Sequence, residues 1–259
     1  GANHADKGIP CQDAAMSATL YHRGYLFYFM AVADGHGGES YTQSDAGSFL
    51  ALQAAGESVN RFIMFVIDVY EKYPQAWVDM VKDDFSGRFG RTLVSNWTRM
   101  VLAHANDTEY NEDEVVKRYG TTITAALVFK DQLFSGRIGD SPAYILGKDK
   151  KPEVRALFEE EDRQNNSLGL ATASLCSRDA YRHWQAKTLP LDRAAMVALA
   201  TDGFADSLKD PPAYIAELYR RSGKRDAAGM ERLITGELEG ITEKGVGDDI
   251  SLLLFLIGE

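Results

Sequence analysis

Short apolar runs that stop at acidic turns set the rhythm of this chain. Residues 25–33 are almost wholly apolar and aromatic, are too few for a typical helix, and end at Asp34-Gly35. That is the pattern of a buried strand running into a turn. Residues 195–201 repeat it and end at Asp202-Gly203. Residues 121–129, 133–138 and 143–146 read as further strands, joined by Lys130-Asp131-Gln132 and Gly139-Asp140-Ser141-Pro142, both of turn composition. Together they predict an antiparallel meander. A last buried strand is expected over 250–257, introduced by Gly247-Asp248-Asp249.

Helical periodicity fills the gaps. Phe89, Leu93, Trp97, Met100, Val101 and His104 recur at three- and four-residue spacing, one stripe on a helix of several turns. Another helix is expected over about 39–53. Asp210 as N-cap with Pro211 behind it, then Ile215, Leu218 and Tyr219 before Gly223, gives a helix with both terminal signals. Residues 226–239 follow similarly, with Met230, Leu233, Ile234 and Leu238 as the stripe and Gly240 as the expected stop. The aromatic-rich stretch 62–70 reads as packing. Strands and helices thus come in blocks, which predicts the α+β class, antiparallel sheets covered by helices. Residues 159–182 are the least patterned, polar part of the chain, and a loop or short flap is expected there.

Composition narrows the function. The 259 residues hold 28 Lys and Arg against 38 Asp and Glu, a formal charge of −10, which argues against binding nucleic acid through phosphate contacts. A hydrophobic share of 45% supplies a large core. The apolar runs 62–67 and 252–257 fall well short of the ~20 residues of a membrane span, so no membrane partner is expected. Cys11 and Cys176 are far apart and show no C-x-x-C pairing, so they read as free thiols in a reducing, cytoplasmic setting.

The candidate chemistry lies in the acids of the turns. Asp34, Asp140, Asp202, Asp206, Asp248 and Asp249 all follow or precede buried strands, and strands lying side by side would bring them to one edge. Each alone has a plain structural use, as a turn former or helix cap. Converging carboxylates repel, so a cluster keeps protons or holds hard cations, and oxygen-only ligation favours Mg²⁺, Mn²⁺ or Ca²⁺ over zinc. Two such ions can activate a water for attack on a phosphoryl group. His36, between Gly35 and Gly37, is the histidine that stands beside these acids. Nucleophile-elbow, P-loop, zincin and dinucleotide motifs are absent from the sequence.

Read in order, Ala33-Asp34-Gly35-His36-Gly37-Gly38, Tyr119-Gly120-Thr121-Thr122, Ile138-Gly139-Asp140-Ser141, Ala200-Thr201-Asp202-Gly203-Phe204-Ala205-Asp206 and Gly247-Asp248-Asp249-Ile250-Ser251 resemble the signature blocks of the PP2C-type (PPM) metal-dependent Ser/Thr protein phosphatases. The opening Gly8-Ile9-Pro10-Cys11-Gln12-Asp13-Ala14 resembles the bacterial branch. The resemblance spans essentially the whole chain. It implies one domain over 1–259, a four-layer α/β/β/α sandwich with the metal site at one edge of two antiparallel sheets. It also implies two core Mg²⁺ or Mn²⁺ ions and a weaker third. Asp34 would bridge the core pair, the Gly35 carbonyl would serve the second ion, and Asp202 and Asp248 would complete the first. Asp248 ranks ahead of Asp249, which falls where the family often has Asn. Asp13 would hold water near the second ion, Asp140, Asp202 and Asp206 would take the third, and His36 would be the general acid.

The departures are specific. Where the family usually carries a phosphate-clamping Arg, this chain has Gly8, with Lys7 beside it and His4 upstream as the substitutes to be expected. Gln12 replaces a common acid, and Pro142 a frequent Arg. The leading expectation is a signalling phosphatase acting on phosphorylated proteins, with a cognate Ser/Thr kinase or its targets among its partners. The alternative is a catalytically weak pseudophosphatase that binds a partner.

Overall fold

The computed structural model describes residues 1–106, 111–149, 153–159, 173–223 and 225–258. After a short helix α1 (Ala2–Lys7), β1 (Asp13–His22) and β2 (Tyr25–Asp34) form a hairpin. Its two-residue turn, Arg23-Gly24, has both residues at positive φ, 50° and 84°, the conformation that matches strand twist. This register pairs His22 with Tyr25 and, nine residues along each strand, Asp13 with Asp34. The strand β1 lay outside the sequence expectations, although its burial alternates residue by residue as a period-two pattern would.

Next come α2 (Ser44–Lys72), α3 (Trp77–Asp84), a π-helical turn (Phe85–Phe89), α4 (Gly90–Ala105) and α5 (Glu112–Arg118). The predicted helix over 39–53 therefore starts later and runs much further, absorbing the aromatic stretch 62–70. By length and composition α2 could cross a membrane, with a mean hydropathy of 1.2 over 18 residues. Yet 61% of that window is buried within the protein, as in a core helix.

The strands β3 (Ile123–Phe129), β4 (Gln132–Ile138) and β7 (Gln185–Pro190) complete an antiparallel sheet of order β1-β2-β3-β4-β7. A second sheet has the order β6-β5-β8-β9, with β5 (Ala143–Gly147), β6 (Val154–Ala156), β8 (Ala194–Ala200) and β9 (Leu252–Leu256). The expected meander thus breaks after β4, because Gly139-Asp140-Ser141-Pro142 carries the chain into the other sheet. Gly139 turns there at φ 108°. Hydroxyls hold the crossing, with Thr124 Oγ1 donating to the Ser141 carbonyl at 2.8 Å and Thr122 Oγ1 lying 3.0 Å from Ser141 Oγ.

The two sheets stack. From β2, Met30 and Val32 enter the layer between the sheets with Val197 and Leu199 of β8, while Phe27, Phe29, Ala31 and Ala33 face α2 and α4. On the far side, Met196 and Ala198 meet Ile215 of α7 (Pro211–Ser222). Strands buried on both faces carry continuous apolar runs, which is why β2 and β8 stood out in the sequence. The result is the four-layer α/β/β/α sandwich of the α+β class. Asp210 caps α7 by accepting from Ala213 N, as predicted. The last helix, α8 (Ala227–Lys244), capped by Asp226, runs through Gly240 and stops at Gly245, five residues beyond the expected end. A glycine inside a helix costs only ~1 kcal/mol, less than packing returns. Of the flap expected over 159–182, residues 160–172 lie outside the described residues. The described remainder buries Leu175 and leads through a 3₁₀ turn (Ala180–His183) to the buried Trp184.

Candidate metal centre

The hairpin places the start of β1 and the end of β2 together, so Asp13 and Asp34 are paired neighbours. The end of β8 and the start of β9 reach the same edge, because Thr201 Oγ1 donates to Asp13 Oδ2 at 2.6 Å and accepts from Ser251 N–H at 2.8 Å. Asp202 begins α6 (Asp202–Asp206) and Asp206 ends it. The Tyr119-Gly120-Thr121-Thr122 block sets the backbone of Asp34, whose carbonyl accepts from Thr122 N–H and Thr121 Oγ1, both at 2.8 Å. Gly35 has no room for a side chain, since a Cβ there would stand 2.6 Å from the Ser44 carbonyl oxygen.

Electrostatics separate the acids into two kinds. Burial raises the Asp34 carboxyl most, and its hydrogen bond with Asp202 and the charges of Asp202, Asp13 and Asp248 carry it to about 11. Burial, then the charges of Asp249 and Asp202, raise Asp13 to about 7 against the Thr201 hydrogen bond. Asp202 is raised too, by burial first and then by Asp140, Asp248 and Asp206. Asp13, Asp34 and Asp202 therefore respond first to burial and then to hydrogen bonds and the charges of the acids around them. Asp249 is the opposite kind. It is 2% exposed and accepts from His4 Nδ1 and the Gln12 amide, each at 2.7 Å, and from the Gly1 amino group. Those bonds outweigh burial and hold it below the ordinary carboxylate range.

Mutually raised carboxyls with oxygen-only donors suit a hard divalent cation, which would replace the retained protons. Among the described residues, no three carboxylate, imidazole or thiol groups already stand as a ligand cage; Asp34 and Asp202 share a hydrogen bond instead. Asp248 lies in the loop before β9, its Oδ1 accepting from Asp249 N–H at 2.9 Å. The His36 main chain donates to the Gly120 carbonyl at 3.0 Å, and its imidazole is lowered by burial against a weaker opposing pull from Asp140. His4 is drawn onto Asp249, whereas Lys7 is exposed at the end of α1 with no hydrogen bond or ion pair among the described residues. Cavities of 510 Å³ beside α8 and β9 and 430 Å³ near Ile257 contain none of these acids.

Sequence reasoning passed over Thr201 and Arg137. The hydroxyl residue directly before a strand-end acid was a signal for Thr201. Arg137, 3% exposed on β4, donates to Gln185 Oε1 at 3.0 Å and to the Glu159 carbonyl at 2.7 Å, with a longer contact to the Asp140 carbonyl at 3.4 Å. Both cysteines are free thiols.

An antiparallel sandwich between helix layers is also the fold of several solved phosphatases. The S. agalactiae serine/threonine phosphatase is 14% identical, with a TM-score of 0.60 over 96% of this chain and 94% of that one. The serine/threonine phosphatase Stp1 from Staphylococcus aureus is 15% identical, with a TM-score of 0.53 over 96% and 90%. The catalytic domain of the serine threonine protein phosphatase PstP, solved with two manganese ions, is 18% identical, with a TM-score of 0.52 over 93% and 96%. No curated protein matches the chain in sequence. The profile of the Protein phosphatase 2C family matches residues 1–239, and the chain belongs to that family of phosphoprotein phosphatases.

Proposed function

We propose that this protein is a Mn²⁺- or Mg²⁺-dependent Ser/Thr phosphatase that hydrolyses phosphoserine and phosphothreonine in proteins without a covalent enzyme intermediate. The observation that carries the reading is the Asp34 carboxyl, raised to about 11 by burial and by its acidic neighbours at the sheet edge. The two manganese ions of the PstP domain, which shares the fold, support it. Asp34, the Gly35 carbonyl, Asp202 and Asp248 would hold two ions, Asp13 would hold their water, and Asp140, Asp202 and Asp206 would hold a third. When bound, the ions supply an acidified, oriented water and a positive field for the phosphate. The chain's own residues do the rest. Thr201 fixes the Asp13 carboxyl by donating to it, and Arg137 reaches the carbonyl of Asp140 through a 3.4 Å contact. His36 gives its proton to the departing seryl or threonyl oxygen, the general-acid role that an imidazole beside the acids can fill. Lys7 is the cation left for the substrate phosphate, since Nδ1 of His4 is engaged by Asp249. A charge of −10 opposes an anionic substrate at long range, so metal-free protein binds it weakly.

The test is hydrolysis of p-nitrophenyl phosphate and a phosphothreonine peptide by the purified chain, with and without Mn²⁺, beside Asp34→Ala. Metal-dependent turnover that this change abolishes is expected. No turnover on either substrate, despite Mn²⁺ binding, would favour the partner-binding pseudophosphatase.

A further inference from the structure

The imidazole of His36 is held in a way its own sequence does not provide for. It stands in a glycine-rich loop, Gly35-His36-Gly37-Gly38, with Gly38 at φ 108°, so the adjoining backbone does little to restrict the ring. Neither ring nitrogen is hydrogen-bonded to any described residue. Among the described residues, packing against two of them sets its direction. The ring of Tyr41, five positions on, meets the imidazole edge-to-face with centroids 5.0 Å apart and planes at 66°. Gly120 packs against the seam of the two rings, where a Cβ would stand 2.5 Å from Tyr41 Cδ1 and 2.9 Å from His36 Cδ2. The Gly120 carbonyl also accepts the His36 main-chain N–H. Gly120 therefore fixes the loop and leaves space for both rings.

We infer that Tyr41 and Gly120 are positioning residues that aim the His36 imidazole at the leaving-group oxygen, Tyr41 through its ring rather than its hydroxyl. This rests on the phosphatase reading with His36 as acid. A misdirected acid harms poor leaving groups and spares good ones, because p-nitrophenolate departs without a proton.

The experiment compares p-nitrophenyl phosphate with phenyl phosphate, two substrates of nearly the same size and different leaving groups, at saturating Mn²⁺. Tyr41→Ala is expected to lose at least about tenfold more kcat on phenyl phosphate than on p-nitrophenyl phosphate, and Tyr41→Phe to restore the wild-type ratio. Gly120→Ala, which keeps Tyr41 but displaces its ring, should repeat the selective loss. Equal losses on both substrates, or Tyr41→Phe behaving as Tyr41→Ala, would overturn the inference alone. A His36→Ala variant that loses both substrates equally would overturn the acid role on which it depends, and a wild-type protein inactive on both would overturn the phosphatase reading itself.

Discussion

Two groups of buried or half-buried carboxyls have opposite surroundings. At the sheet edge, Asp13, Asp34 and Asp202 are all raised, by burial first and then by the other acids around them. Between the outer helices, Glu237 of α8 accepts from Arg221 Nη2 at 2.6 Å and Tyr214 Oη at 2.5 Å of α7, and is lowered, chiefly by Arg221. A carboxylate that the chain completes with its own donors is a structural clasp. Carboxyls left to raise one another store repulsion that only protons or an external cation relieve. That difference, more than the presence of acids, marks the site.

The sharpest way to break the contrast is Asp34→Asn. Turnover with Mn²⁺ is expected to fall about 10³-fold or more, while the metal-free protein melts a few degrees higher because no buried carboxyl has to take up a proton on folding. Initial rates and melts in EDTA read the two effects, and a lower melting point would contradict the stored repulsion. Next in size, Mn²⁺ at about a hundredfold its dissociation constant should stabilise the wild type by about 2.7 kcal/mol. Asp202→Asn should lose most of that gain and Glu237→Gln none of it, by thermal shift.

A third change moves a carboxylate from one group to the other. His4→Ala strips Asp249 of one partner while its neighbours stay acidic, and should cost about 1–3 kcal/mol by urea unfolding. The smallest effect is expected at the clasp itself, where Glu237→Gln lowers the melting point by only about 1–3 °C and leaves kcat unchanged. The folded-state value of Glu237 is depressed, so its contribution is present above the ordinary carboxylate range and fades as pH falls through the lowered value. Melts of wild type and Glu237→Gln should thus differ at pH 7 and converge in strong acid.

How far all this was legible varies with the range of the forces involved. The strands β2 and β8 could be read because burial on both faces removes polar residues from a short run, and an acid placed directly after such a run is conspicuous. The cap at Asp210 was local and equally readable. The hairpin strand β1 was passed over because its small and polar residues make a weak alternation. The end of α8 was misjudged because Gly240 lowers helix propensity without stopping a helix that packs on a sheet.

Nothing local in Gly139-Asp140-Ser141-Pro142 says which sheet β5 joins, since strand pairing is settled by partners far along the chain. The hydrogen bond of His4 with Asp249 spans 245 residues and draws toward structure a histidine whose position suggested phosphate. Tyr41 carried no mark in the sequence until Gly120, 79 positions later, was found against the same ring.

The order of acidic blocks, the apolar runs before them and the α+β class follow from the chain's own pattern, because burial and turn chemistry act over a few residues. Which carboxylates are neutralised by the protein and which stay exposed to one another depends on contacts between distant segments. Charge interactions depend on separation in space, and that separation exists only after the two sheets have stacked.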